Sequence, residues 1–544
     1  MLEGFTPVPE VQARRYRSAG VWEGRPLGCY VDDWAQRYGK RIALTDGAIQ
    51  WSYEDIAALS TRLAQQLRAR GLRPRDRVLI QLPNVVEFVI LIFAMFKADL
   101  IPVLALPAHR EFEITKLMEH AEAVGYAVPA KSPDFDYSAM AERIVAGNSR
   151  VKFLLTDGPR ENRPSWSIAE LLEEELSDLQ PLQRPDPADV ALFLLSGGTT
   201  GVPKIIPRTH NDYAYNFRQC GAVCHFGPDT TYMASLSMAH NFPLGSPGIL
   251  ATFHAGGRVV VARDARPETA FPLMISEGVT VTAVVPAIAI RWAESDLVPS
   301  AEHLKLKLLQ VGGARLAAEA ARRLRQALGC QIQQVFGMAE GLINVTSPDD
   351  PDQVIDETQG RPISPFDEVL VVDAFDRPVP PGENGHLLTR GPYTIRGYYR
   401  AGTVNEESFT PDGYYRTGDI VHWDASGNLV VEGRANDLIN RGGEKISAEE
   451  VENLLLAHPG VLECAVVAMP DSVLGERACA YVIPRSGVEL TLASLTSHLA
   501  ATGVAKYKWP ERLEITDRWP LTAVGKINKK ALRQQLSDKL EATS

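Results

Sequence analysis

The run Ser196-Gly197-Gly198-Thr199-Thr200-Gly201-Val202-Pro203-Lys204 packs glycines, hydroxyls and a lysine into one short stretch. Bare backbone N–H groups and hydroxyls can surround phosphate oxygens, and Lys204 supplies the opposing charge. The spacing departs from the GxxxxGK[ST] loop, because no lysine directly follows a glycine, so a different kind of phosphate loop is expected. Carboxylates and a cation that could serve such a site recur further on. They are Glu340 in Gly337-Met338-Ala339-Glu340-Gly341, Asp419 in Tyr415-Arg416-Thr417-Gly418-Asp419, and Arg434 after Gly433. His240 and Asn241, bracketed by small residues and prolines, are unusual for a plain connector, although His240 alone would read as a structural histidine.

Those residues need elements to hold them. The apolar run 190–195 reads as a strand emptying into the phosphate loop, 306–311 as a buried strand ending at Gly312-Gly313-Ala314, and 331–336 as a strand ending at Gly337. In an open α/β sheet ligands sit outside the carboxyl ends of strands, so the three tips are expected to line one crevice. Helical spacing at 53–70, 85–97 and 211–224 alternates with strand-like runs at 77–82 and 232–236, an α/β layer pattern with a partly parallel sheet. The acidic run 170–178 reads as a solvated helix end and linker. Beyond residue 365 the texture turns β-rich, with strands at 369–372, 385–389 and 429–431 and Asp419 placed after a turn. The last stretch reads as a small α+β unit of helix 448–457, strands 462–467 and 478–483, and helix 492–499, with the domain boundary near Asn436.

At 544 residues the chain exceeds what one core usually organises. Its net charge of −11 argues against a nucleic-acid partner, since no basic stripe is present to displace counterions. Six dispersed cysteines fit neither a disulfide framework nor a zinc site. The greasiest run, 88–96, is far too short to cross a bilayer, so no membrane partner is expected. Met1-Leu2-Glu3-Gly4 opens without a basic and then apolar leader, and a cytoplasmic location is expected.

The motifs at 196–204, 336–340, 415–419 and 433–434, with Arg441-Gly442-Gly443-Glu444-Lys445-Ile446 and Gly525-Lys526, resemble those of the adenylate-forming superfamily in kind and order. That superfamily includes acyl-CoA synthetases, luciferases and the adenylation domains of nonribosomal peptide synthetases. More narrowly, Met238-Ala239-His240-Asn241-Phe242 and the runs 334–342, 390–399 and 439–445 look like the stand-alone aryl-acid ligases of siderophore pathways. Leu2-Glu3-Gly4-Phe5-Thr6-Pro7 and 104–110 look like their 2,3-dihydroxybenzoate branch.

The resemblance implies an α/β fold, with a large N-terminal domain of mixed sheets and helices at 1–435 and a small mobile α+β domain at 436–544. It implies two half-reactions, AMP transfer from ATP to an aryl carboxylate and then thioester formation on a separate phosphopantetheinylated aryl carrier protein. Ser196, Gly197, Gly198, Thr199, Thr200 and Lys204 would hold the phosphates. Glu340, helped by Thr200, would ligate Mg²⁺. Gly312, Gly313, Ala314, Val335, Phe336, Gly337, Met338 and Ala339 would pack the nucleotide, and Asp419 with Arg434 would take the ribose. Lys526 would bridge carboxylate and α-phosphate. Asn436, where relatives usually carry Asp or Lys, would be the hinge. Gly442, Gly443 and Lys445 would face the adenylate during thiolation.

The aryl acid would be held by His240, Asn241, Phe242, Ser246, Gly313, Val335, Gly337, Ile343 and Lys526. In relatives the position of Ser246 faces a 3-hydroxyl. A buried serine without a partner costs about 1 to 3 kcal/mol, which favours 2,3-dihydroxybenzoate. Phe242 and Ile343 lean toward salicylate, and 3-hydroxypicolinate is a third candidate. An aryl-CoA ligase and a non-catalytic sensor of the acid are the rival readings.

Overall fold

The computed structural model describes residues 1–158, 166–175, 181–196, 203–441, 444–471, 474–502, 504–522 and 525–541, with the side chains of Asn436, Glu444 and Lys445 left out. Among the described residues the strands form four sheets. The nine-stranded sheet has a parallel centre, in which Gln331–Gly337, Leu308–Gly312, Val281–Val284 and Thr231–Ala234 lie side by side, with antiparallel strands at both edges. The seven-stranded sheet contains Arg77–Ile80, Ile101–Leu104 and Val190–Leu195 in parallel and ends on antiparallel Ile205–Thr209.

One continuous core joins both sheets through the helices between them. It takes Leu44 and Val259 from one sheet, Ile80 and Leu192 from the other, and most of helix Val86–Lys97. That helix is apolar around its whole circumference, as a helix enclosed on all sides must be. The buried charge at its last residue is satisfied, with Lys97 Nζ donating to Asp32 Oδ1 at 2.5 Å, Thr61 Oγ1 at 2.7 Å and the Ala57 carbonyl at 3.0 Å.

This arrangement corrects one expectation. The strand leading into the phosphate loop lies in the seven-stranded sheet, whereas those ending at Gly312 and Gly337 lie in the nine-stranded one. The two sheets meet near these ends, where Arg208 of strand Ile205–Thr209 donates to the carbonyl of Ala339, two residues past Gly337, at 2.9 Å.

A second correction concerns Asp419, which follows no turn. It lies within strand Tyr415–Trp423 of a four-stranded antiparallel sheet, where Gly418 at φ 77° and a register shift between Ile420 and Val421 make a bulge. A bulge breaks the in-out alternation, so Asp419, Ile420 and Val421 are all buried.

The last sheet is built from the hairpin Leu438–Arg441 and Glu444–Ser447, the long pair Val461–Asp471 and Gly475–Pro484, and Arg512–Ile515. Helices Ala448–Leu456 and Leu492–Thr502 pack on one face, and Lys529–Glu541, which the sequence reading did not anticipate, packs on the other through Leu532 and Leu536.

Candidate active site

The phosphate loop is tied at its base. Ser196 N donates to the Lys204 carbonyl at 3.0 Å, and Lys204 N donates to Ser196 Oγ at 3.0 Å. Gly197, Gly198, Thr199 and Thr200 lie outside the described residues. Lys204 Nζ sits 4.0 Å from the centroid of the Tyr398 ring, a cation–π contact. The hydroxyl of Tyr398 donates to Glu340 Oε1 at 2.8 Å and shares a hydrogen bond with the Tyr415 hydroxyl at 3.0 Å. One tyrosine thus connects the lysine after the first strand tip to the carboxylate after another. Burial pulls the Lys204 ammonium below its ordinary range, and Glu340 partly offsets this.

The bulged strand delivers a second carboxylate. Arg434 Nε lies 2.7 Å from Asp419 Oδ1, and the backbone N–H of Asp419 donates to Thr417 Oγ1 at 3.0 Å. Asp419 Oδ2 is buried without a partner. Burial pushes this carboxyl above its ordinary value against the pull of Arg434 and Lys526.

Lys526 enters from the far end of the chain. A tight turn presents it, with Thr522 N donating to the Lys526 carbonyl at 2.8 Å and Lys526 N to Thr522 Oγ1 at 3.1 Å. Its Cε lies only 3.2 Å from where a Cβ on Gly313 would stand, and Gly313 has φ +88°, so that position admits no side chain on two counts. Burial, with Arg434 adding to it, lowers the ammonium to about 8. His240 is lowered to about 4 by burial and by Lys526, and is neutral at pH 7. Its Nδ1 accepts from Phe242 N at 3.2 Å, which leaves the ring proton on Nε2.

A patch of close apolar packing adjoins this cluster. Gly312 meets the Phe242 ring, where a Cβ would stand 3.0 Å from Cζ, and Gly337 meets Ile343, where a Cβ would stand 3.1 Å from Cγ1. Val335 and Ile343 are buried beside them. Phe336 turns to a different cluster around Leu342 and Val371, Met338 packs against both that cluster and the core holding Val335 and Ile343, Ala339 gives its carbonyl to Arg208 at 2.9 Å, and Ala314 is exposed. Asn436 lies in the one-turn helix Ala435–Asp437, and Lys445 pairs across the hairpin with Asn440. Gly442 and Gly443 are outside the described residues.

Ser246 requires a correction to the argument made from its burial. It has partners, because its Oγ accepts from Asn216 Nδ2 at 2.9 Å and from Asn241 Nδ2 at 3.0 Å. The hydroxyl oxygen is therefore satisfied without a ligand, and only its proton is left to give.

A family model described as AMP-binding enzyme matches residues 31–399, and one described as AMP-binding enzyme C-terminal domain matches 450–526. The chain belongs to the AMP-binding enzyme family. It is 52% identical over 99% of both chains to a Streptomyces salicylyl-CoA synthase / salicylate adenylyltransferase. It is 49% identical, over 100% of this chain and 99% of the other, to the 2,3-dihydroxybenzoate-AMP ligase of Bacillus subtilis. The apo structure of MbtA from Mycobacterium smegmatis superposes with a TM-score of 0.75 at 44% identity, covering 98% of this chain and 99% of that one.

Family members work with ATP and Mg²⁺. The residues present fit both. The unpartnered Asp419 Oδ2 beside Arg434 is what a ribose hydroxyl donor needs. Glu340 offers one buried carboxylate, held by Tyr398. That suits Mg²⁺, which keeps waters and binds through one or two carboxylates plus phosphates. Among the described residues no helix is long and apolar enough to cross a membrane.

The sequence reading missed Tyr398, Tyr415, Tyr213 and Asn216. A usable signal was available for the last two, since an internal helix face carrying Tyr213, Asn216 and Cys220 has too much polarity for plain core packing.

Proposed function

We propose that this chain activates an aryl acid, 2,3-dihydroxybenzoate in the first instance, as its acyl-adenylate with release of pyrophosphate, and then passes the acyl group to the phosphopantetheine thiol of a separate aryl carrier protein in siderophore biosynthesis. The observation that carries the substrate choice is Ser246. Its oxygen is already bonded twice, so its free proton suits a 3-hydroxyl oxygen in an aryl-acid recess that we place beside Gly337 and Ile343.

Negative charge spreads over the α-phosphate as the carboxylate attacks, and cations and N–H donors answer it better than an acid or base would. Lys526 remains mostly protonated at pH 7 and stands beside neutral His240, whose Nε2–H is a donor. Lys204 and Arg434 add positive charge, Asp419 would accept from the ribose, and Glu340, held by Tyr398, would ligate Mg²⁺. For the second step the unit after Asn436 would rotate, withdrawing Lys526 and bringing Gly442, Gly443 and Lys445 to the adenylate.

Salicylate is the second reading, supported by the name of the 52% identical relative and by the fully buried Ile343, which narrows the recess. Pyrophosphate exchange into ATP with 2,3-dihydroxybenzoate, salicylate, 3-hydroxypicolinate and benzoate at matched concentrations tests the choice. Fastest exchange with salicylate would reverse it. Turnover with coenzyme A equal to that with a carrier protein would favour an aryl-CoA ligase.

A further inference from the structure

Segment 391–400 contains no helix or strand, yet every residue in it except Arg400 is buried. Enclosed backbone without regular structure must find its partners one by one. On its inner side it supports the metal and phosphate end of the site. Ile395 N donates to the Glu340 carbonyl at 2.9 Å, so with Tyr398 on Oε1 this one loop fixes both the main chain and the side chain of Glu340. Gly341 permits the approach, since a Cβ there would stand 2.6 Å from Thr394 Cα. Tyr399 N donates at 2.9 Å to the carbonyl of Ile205, the residue after Lys204.

The outer side of the loop is closed by residues 2–22, for which the chemistry above has no task. Trp22 Nε1 donates to the Pro392 carbonyl at 3.0 Å. The Arg396 guanidinium donates within the loop to the Thr394 carbonyl at 2.8 Å and across to Gln12 Oε1 at 2.9 Å. Arg400 N donates to the Gly4 carbonyl at 3.2 Å, and Gly397 makes room for Thr6, whose Oγ1 would lie 2.9 Å from a Cβ there. Leu2 and Phe5 pack on the cluster that holds Tyr399. Helix Glu10–Ser18 carries Gln12, and its buried Tyr16 meets the Trp22 ring at 5.2 Å between centroids.

We propose that residues 2–22 brace the Mg²⁺–triphosphate end of the site, with Gln12 and Trp22 as positioning residues that hold loop 391–400 and, through Tyr398, set Glu340 and Lys204. The inference deepens the adenylation reading above and rests on its use of ATP and Mg²⁺, not on which acid is activated. Shifting the loop displaces the Tyr398 hydroxyl and ring together, so metal and nucleotide binding weaken as one.

The test is Mn²⁺ binding in the presence of ATP and without acid, read by electron paramagnetic resonance, alongside pyrophosphate exchange. Gln12→Ala combined with Trp22→Phe removes two hydrogen bonds to the loop and keeps a ring at position 22. The Mn²⁺ dissociation constant should rise about three- to tenfold, from the net worth of two such bonds. The KM for ATP should rise with it, while the KM for the acid stays near wild type. Gln12→Glu keeps an acceptor before Arg396 and should bind Mn²⁺ as wild type does; a loss as large as that of Gln12→Ala overturns the proposal. A lowered melting temperature with Mn²⁺ affinity and KM for ATP unchanged, or an equal rise in KM for ATP and acid, overturns it too. Should the double variant not fold, Gln12→Ala alone, at a half-buried position, must weaken Mn²⁺ binding by about twofold or more, and unaltered binding overturns the proposal equally. Exchange with none of the acids would sink the aryl-acid reading and leave the Mn²⁺ measurement standing, whereas unaltered Mn²⁺ binding sinks the brace alone.

Discussion

Lys526 illustrates how burial tunes a single group. Its surroundings lower the ammonium to about 8, so the cation is present below that pH and lost as pH rises through it, well before an exposed lysine would deprotonate. Adenylate formation should therefore decline above pH 8 in a pyrophosphate-exchange profile, while thiolation of a supplied adenylate keeps its rate. Lys526→Ala should cut the first half-reaction by about 10²- to 10³-fold and spare the second. Equal damage to both would contradict the two-orientation mechanism. Tyr398 offers a different separation, because its hydroxyl serves Glu340 and its ring serves Lys204. Tyr398→Phe should raise the Mg²⁺ concentration needed for half-maximal exchange by several-fold and leave the KM for ATP near wild type. Tyr398→Leu should raise both, and Mn²⁺ binding in the presence of ATP, read by electron paramagnetic resonance, should weaken in the two variants alike.

At the scale of elements, strand Tyr415–Trp423 shows what the sequence did and did not disclose. The run 415–419 marked Asp419 as chemically active, yet placed it after a turn, because Gly418 punctuates a turn and a bulge alike and periodicity does not tell the two apart. The helices over Tyr53–Ala69 and His210–Val223 were legible from helical spacing, and the structure adds a Ser52 and a Thr209 cap to them, whereas Val86–Lys97, apolar all round and capped by no side chain, was legible as a long apolar run. The strand tips were legible from glycine and small residues. Their assignment to two sheets was not, since pairing partners depend on packing between layers that no local pattern records. The hydrogen bond from Asn216 to Ser246 joins residues 30 apart and is equally invisible to spacing. Gly418→Ala tests the bulge. Placing a side chain at φ 77° costs about 1 to 2 kcal/mol, and the strain should appear as a lowered melting temperature together with a raised KM for ATP, because Asp419 loses its inward aim. A lowered melting temperature with an unchanged KM would mean that the bulge serves stability alone.

On the scale of the whole molecule, the site exists only because the chain's last sheet is folded back over the seam of the first two. Lys526 is held there by its own turn and by bridges across the joint. One is the ion pair between Arg485, at the end of strand Gly475–Pro484, and Glu294, which closes helix Pro286–Ala293. That helix begins one residue after Val285, whose side chain lies beside Gly313. The pair therefore fastens the C-terminal sheet to a helix that starts next to a residue touching Gly313, which Lys526 also approaches. Both partners are about a quarter exposed, and such pairs contribute up to about 1 kcal/mol, enough to bias a two-orientation equilibrium about fivefold without locking it. Glu294→Arg should slow adenylate formation by two- to fivefold (about 0.4 to 1 kcal/mol) and leave thiolation of supplied adenylate unchanged or faster, since the arrangement that carries Lys526 into the site is the one weakened. Arg485→Glu added to Glu294→Arg rebuilds the pair with its charges exchanged and should restore the first half-reaction. A double variant as slow as the single one would show that Arg485 and Glu294 do not act through each other, and would move the control of rotation to Ser447, whose hydroxyl donates to the Glu432 carbonyl across the hinge segment.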